Sequence, residues 1–287
     1  MAGEPMTRAT WEELLEPLRA EPAKTAILTD FDGTLAPIVE RAADAALPDG
    51  AGGVLARLVE RYALVGAVSG RRAAEVRALI DVEGLHYAGN HGLELLLPGD
   101  EAPRPDPSVA GREREAADFL AALDGRPQVG VGGGRPDEVP TGRLSEVGLR
   151  PEDKGPIQAI HWRGAADEER AEAFAREIAV EAERAGLEAR WGRKVLELRP
   201  VGGGGKDAAV SALLAAGGLD RAVYAGDDVT DVDAFRRLGE LREAGELVAA
   251  VRVGVLSAEG PAEIAEQADV TVPDPAGWLA ILAWLAG

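Results

Sequence analysis

The run Thr29-Asp30-Phe31-Asp32-Gly33-Thr34-Leu35 follows the apolar stretch Ala26-Ile27-Leu28 and sets two carboxylates two residues apart, just before a glycine. The exit from a strand relaxes strict alternation, so both side chains can face one reaction centre. A hard cation such as Mg²⁺ held there would screen the two charges from each other and from an incoming phosphate. One carboxylate can then attack phosphorus while the other handles protons. The same spacing also suits an ordinary strand that ends in an Asp-Gly turn.

Three more positions bear on that choice, each after an apolar run or a glycine loop. Ser69 offers a hydroxyl, and Gly70 lets backbone N–H groups approach an anion. Alone, the pair reads equally as a helix cap. Lys206 follows the four glycines Gly202 to Gly205 and brings one positive charge. Gly226-Asp227-Asp228-Val229-Thr230-Asp231 packs three acids into five positions, which repel one another unless a cation is present. A helix N-terminus favours acids too and accounts for one or two of them.

The surrounding pattern alternates strands and helices. Apolar runs at 26–28, 64–68, 86–89, 222–225 and 248–253 read as strands. Amphipathic segments at 11–20, 51–61, 73–80, a stretch from Lys206, 231–238 and 277–285 read as helices. The alternation predicts a doubly wound parallel-sheet α/β core whose ligands lie beyond the strands' carboxyl ends. Prolines at 98–107 interrupt it. Behind them a helix over 111–123, strands at 157–162, 187–191 and 194–198 and a helix over 167–185 form an inserted α/β cap. The predicted division is residues 1–21 as an N-terminal helical segment, 22–103 with 199–287 as the core, and 104–198 as the cap.

With 287 residues and 46% hydrophobic content, the chain is long enough for a sizeable core. It has no cysteine, which excludes thiolate nucleophiles and zinc–thiolate sites and fits a reducing compartment. A net charge of -19 repels nucleic acid and acidic membrane surfaces, so neither is expected as a partner. No basic leader with an apolar core and no membrane-length run is visible, and a cytoplasmic monomer is expected.

Taken in order, Asp30 to Ala36, Ser69-Gly70-Arg71, Lys206 and Gly226 to Asp231 resemble the four motifs of the haloacid dehalogenase superfamily of aspartate-nucleophile phosphatases. Finer segments resemble its trehalose-6-phosphate phosphatases: Asn90-His91-Gly92-Leu93-Glu94, Glu152-Asp153-Lys154-Gly155, His161-Trp162-Arg163 and Gly192 to Pro200. The chain departs from that pattern at Asp207, where glycine is usual, and at Val232, where glutamate is common.

The resemblance implies Asp30 as nucleophile, Asp32 as acid and base, and Lys206 as a catalytic cation. It implies Ser69, Gly70 and Lys206 as the phosphate cradle, and Mg²⁺ held by Asp30, the Asp32 carbonyl and Asp227, with Asp228 beside them. It further implies that Arg71, His91, Glu152, Lys154, His161, Arg163 and Glu197 contact a sugar phosphate, trehalose 6-phosphate in the first instance. His161 and Arg163 alternate with Trp162, which would give them one strand face.

Sucrose phosphate and mannosyl-phosphoglycerate remain alternative substrates, and a phosphotransferring mutase or a non-catalytic sugar-phosphate-binding protein remain alternative functions. Gly130 to Arg135 lacks the last glycine of a dinucleotide fingerprint, and Pro200 and Asp207 break a nucleotide phosphate loop.

Overall fold

A computed structural model describes residues 8–39, 41, 44–124, 143–192, 194–215, 218–257 and 260–287. The glycine-rich stretch Gly130 to Arg135, and Arg193 of the segment Gly192 to Pro200, lie outside the described residues.

The elements run α1 (Arg8–Ala20), β1 (Thr25–Thr29), α2 (Ala51–Arg61), β2 (Leu64–Val68), α3 (Ala73–Ile80), β3 (His86–Gly89), β4 (Glu94–Leu96) and β5 (Arg104–Pro105). After them come α4 (Glu115–Leu123), α5 (Arg143–Glu146), β6 (Arg150–Asp153), β7 (Gln158–His161), α6 (Glu168–Arg184), β8 (Leu187–Gly192) and β9 (Val195–Pro200). The chain ends with α7 (Lys206–Ala215), β10 (Arg221–Gly226), α8 (Val229–Glu243), β11 (Ala249–Val255), α9 (Ala262–Gln267), β12 (Val270–Val272) and α10 (Pro275–Ala286). They form two compact units, Met1–Arg104 with Gly204–Gly287, and Pro105–Gly203.

In the first unit the strand order is β12-β11-β10-β1-β2-β3-β4-β5. Every pairing from β12 to β3 is parallel, and β4 turns antiparallel against β3. Strands β1 and β2 are buried along their whole length, which is why they read as unbroken apolar runs. Alternate residues feed two cores. Ile27, Val65 and Val223 join Leu55, Leu58, Trp278 and Leu282 on one face, while Leu28, Val68 and Tyr224 join Leu213, Phe235 and Leu238 on the other. The chain winds one way from β1 to β3 and the other way from β10 to β12. The order therefore reverses between β1 and β10, and a crevice at the carboxyl ends of those two strands is where such sheets bind ligands.

Of the features that differ from the sequence reading, two have plain physical reasons. Helix α8 starts at Val229, before the expected Asp231, because Asp228 caps it by accepting from Thr230 and Asp231 N–H while the Asp231 side chain accepts from the Asp228 N–H. Strand β6 was not anticipated, since Arg150-Pro151-Glu152-Asp153 is exposed throughout and has no apolar alternation to betray it. It is an edge strand, the place where a proline is tolerated.

The second unit is a four-stranded antiparallel sheet in the order β6-β7-β9-β8. Helix α6 lays Ala171, Ala175, Ile178, Ala179 and Ala182 into a core with Ile160, Leu196 and Leu198. Small residues on that helix face allow close helix–sheet packing. No helix among the described residues is long and apolar enough to cross a membrane.

Candidate active site

Strand β1 ends one residue before Asp30, and β10 ends one residue before Asp227, so the sheet itself delivers both carboxylates to the point where strand order reverses. The Asp30 N–H donates to the Ala225 carbonyl at 2.8 Å, which continues the β1–β10 pairing into the site. Gly33 then turns the chain at φ +84. A Cβ there would lie 2.2 Å from Oδ2 of Asp227, so only glycine lets the β1 loop pass that carboxylate. Thr34 fixes the other oxygen, its Oγ1 donating to Asp227 Oδ1 at 2.8 Å.

Lys206, the first residue of α7, is buried with its Nζ 2.9 Å from Asp30 Oδ1 and 2.7 Å from Asp231 Oδ1. Asp231 is fully enclosed, and both of its oxygens are occupied. Oδ1 also accepts from the Tyr224 hydroxyl at 2.6 Å, and Oδ2 accepts from the N–H groups of Asp227 and Asp228 at 3.0 Å each. Asp228 Oδ1 accepts from the N–H and hydroxyl of Thr230 and lies 3.8 Å from Lys206 Nζ. Oxygens of Asp30, Asp227 and Asp231 fall within 4.8 Å of one another.

Three buried carboxylates thus cluster around one ammonium, which touches two of them, and the electrostatics show the imbalance. Burial pushes the Asp30 carboxyl well above its ordinary range, and Lys206 recovers only part of the shift. Burial, helped by Asp231, raises Asp227 to about 7. Burial also acts against charge on Lys206, but Asp231 and Asp30 outweigh it and hold the ammonium well above its usual value. At Asp228 burial is likewise outweighed, by Lys206 and the Thr230 donors, and its carboxyl falls below the usual range. A hard divalent cation with oxygen ligands would offset the unbalanced negative charge, so the donor set fits a divalent metal ion.

Asp32 stands at the rim of this cluster, with a side chain 37% exposed. Arg71 grips it with a two-pronged contact, Nε to Oδ2 at 2.6 Å and Nη2 to Oδ1 at 2.8 Å. The Arg71 guanidinium also meets Glu75, so much of this expected sugar-binding group is committed within the core. Ser69 is buried, and its Oγ accepts from the Arg71 N–H at 3.2 Å. Gly70 carries the His91 ring against its backbone, where a Cβ would lie 2.6 Å from the ring.

The Ser69–Arg71 loop is pinned by the turn after β3. His91 N–H donates to the Ser69 carbonyl at 2.9 Å and Asn90 N–H to the Arg71 carbonyl at 2.7 Å, with both turn residues in the left-handed region. Glu94 accepts from the Ala73 N–H at 2.6 Å and ties the start of α3 to the same turn. The two departures from the family pattern sit quietly. Asp207 occupies the first turn of α7, where a helix favours acids, and Val232 is buried in the apolar core.

In the second unit the strand register puts Glu152, Ala159 and Glu197 in one row across β6, β7 and β9. Lys154 Nζ lies 3.0 Å from Glu197 Oε1, and His161 Nε2 lies 2.8 Å from Glu152 Oε2. The hydrogen bond from His161 holds the Glu152 carboxyl below its usual range. Arg163 does not share the strand face with His161. Strand β7 ends at His161, and Arg163 lies in the following turn, its carbonyl accepting from Arg150 Nη2. Tyr224 and Asp231 are the site residues that motif reading left without a role. Asp231 was visible as the third acid of the Gly226–Asp231 run, and Tyr224 only as a tyrosine three positions before Asp227.

The sequence profile of trehalose-phosphatases matches residues 28–110 and 147–273. The chain belongs to the trehalose-phosphatase family. A trehalose-phosphate phosphatase of Mycobacterium avium is 35% identical over 216 residues, 73% of this chain and 50% of that protein. An uncharacterized glycosyl hydrolase of Mycobacterium tuberculosis is 34% identical over 221 residues, 74% of this chain and 15% of that protein. The chain therefore spans half or less of these two relatives. Among solved structures, the C-terminal domain of a Candida albicans trehalose-6-phosphate phosphatase has the same fold, with a TM-score of 0.68 at 21% identity and coverage of 99% of this chain and 98% of that one.

Proposed function

We propose that this trehalose-phosphatase family member is a Mg²⁺-dependent phosphatase that converts trehalose 6-phosphate to trehalose and phosphate through an aspartyl phosphate on Asp30. The observation that carries the reading is the buried Asp30–Lys206 contact of 2.9 Å beside Asp227, at the carboxyl ends of the two central strands. An ammonium held on a carboxylate and aimed into a crevice suits phosphoryl transfer, where positioning and charge stabilisation supply most of the acceleration.

In the first half-reaction an oxygen of Asp30 bonds to phosphorus as the bond from phosphorus to the sugar oxygen breaks, and Asp32 gives that oxygen a proton. In the second, Asp32 takes a proton from a water, whose oxygen bonds to phosphorus and returns Asp30 as carboxylate. Ser69, the Gly70 backbone and Lys206 hold the phosphoryl oxygens. Asp30, the Asp32 carbonyl and Asp227 would hold Mg²⁺, with Asp228 orienting its neighbours, and the ion would offset the charge gathered around the transferring group.

The alternating carboxylates and cations of the second unit offer paired donors and acceptors for sugar hydroxyls. Within it we assign recognition to Glu152, Lys154, His161 and Glu197.

Phosphate release from trehalose 6-phosphate, sucrose 6-phosphate and glucose 6-phosphate, with Mg²⁺ and with EDTA, tests the reading. A strong Mg²⁺-dependent preference for trehalose 6-phosphate is expected, abolished in Asp30→Asn once deamidation is excluded by mass. Equal rates on all three would remove the sugar assignment. Full activity in Asp30→Asn would remove the nucleophile.

A further inference from the structure

Lys206 has a long flexible stem, so its partners decide where its charge sits. Those partners are Asp30 at 2.9 Å and Asp231 at 2.7 Å, and Asp231 Oδ1 receives a second donor, the hydroxyl of Tyr224, at 2.6 Å. The other oxygen of Asp231 is engaged by two backbone N–H groups of the β10–α8 turn. Four donors leave this carboxylate no room to rotate, and Tyr224 supplies the donor that comes from the rigid centre of the sheet. The ring itself is set. It is fully buried, paired on both sides with Leu28 of β1 and Arg252 of β11, and packed edge-on against Phe235 with centroids 6.1 Å apart. Packing alone would be served equally by phenylalanine. The hydroxyl adds a buried polar group whose partner is also the partner of Lys206.

We infer that Tyr224 is a positioning residue, fixing Asp231 so that the Lys206 ammonium is held on Asp30 and on the phosphoryl group that Asp30 receives. The inference rests on the phosphatase reading for its kinetic consequence, whereas its structural consequence stands apart from that reading.

The test is Tyr224→Phe in the full chain, alone and combined with Lys206→Arg, assayed for phosphate release from trehalose 6-phosphate and p-nitrophenyl phosphate. A second readout is a crystal structure of the single variant. Loss of one hydrogen bond to a charged group is expected to lower kcat about tenfold on both substrates, with KM changed less than about twofold. In the Lys206→Arg background the same change is expected to cost less than about twofold, because the two residues act as one unit. In the crystal, Lys206 Nζ is expected to leave Asp30. Independent losses in the two backgrounds, an unchanged kcat in the single variant, or Lys206 still seated on Asp30 in the crystal would each overturn the inference. If the unaltered protein releases phosphate from neither substrate, the phosphatase reading fails instead, and the crystal structure still decides the role of Tyr224.

Discussion

The charged groups of the two units are built on opposite plans. In the first unit Asp30, Asp227, Asp231 and Lys206 are all buried, and each is held by its neighbours. Asp231 alone accepts four hydrogen bonds. In the second unit Lys154 meets Glu197, at 17% and 15% exposure, and Glu152 meets His161, at 52% and 35%. The first plan holds several like charges close together against their repulsion, which suits a site that must meet one reacting atom in one geometry. The second keeps donors and acceptors within reach of water, which suits groups that exchange partners with sugar hydroxyls. Alterations should therefore act on different kinetic constants in the two places.

Among changes that leave the reacting groups themselves in place, the largest effect is expected from Gly33→Ala. Its methyl group would overlap the Asp227 carboxylate, at a backbone conformation that alanine resists. A shift of about 1 Å in a reacting constellation costs on the order of a hundredfold, and kcat should fall by about that much on every substrate. Steady-state phosphate release, with circular dichroism to confirm folding, measures it. A folded variant with kcat within about threefold of the parent would show that the first site tolerates looseness, and the contrast would collapse.

How much of this contrast was legible in the sequence follows from the same distinction. The strands at 64–68 and 86–89 and the helices at 51–61 and 73–80 appear where the apolar pattern placed them, because burial imposes its own periodicity. Motif order singled out Asp30, Lys206 and Asp227, which the fold brings together. The contacts that give them their setting were not legible, since Lys206–Asp231 spans 25 residues, Arg71–Asp32 spans 39 and Thr34–Asp227 spans 193. Such pairings follow from strand order, and strand order is not written in local spacing. Strand β6 escaped for the opposite reason, being exposed and without a pattern to read.

Lys154→Ala sharpens the other side of the comparison. If Lys154 reads the sugar as proposed, removing this donor should raise KM for trehalose 6-phosphate about tenfold and leave kcat within about twofold. p-Nitrophenyl phosphate, which has no sugar hydroxyls, should be hydrolysed as before. If both substrates lose kcat together, the Lys154–Glu197 pair serves the integrity of the second unit and recognition lies elsewhere.

The smallest effect concerns a pair in which the second unit imitates the first. Arg199 is almost fully buried and donates from Nε to Glu188 Oε2 at 2.8 Å, while Glu188 is partly exposed and also meets Arg190. Burial alone would raise the Glu188 carboxyl, but Arg199 and then Arg190 outweigh it and hold it below its usual value. A depressed folded value means that the stabilisation is fully present above the unfolded pKa of about 4.3 and is lost as pH falls through the folded value. The melting temperature of the parent should therefore exceed that of Glu188→Gln by about 2–4 °C at neutral pH, a modest gap because solvent screens the carboxylate. The gap should close as pH falls through the depressed folded value of Glu188, below which the protonated side chain resembles the amide it is compared with. A gap that stays constant over that range would mean that Arg199 depends on the shape of its neighbour and not on its charge, and the likeness between the two units would end at geometry.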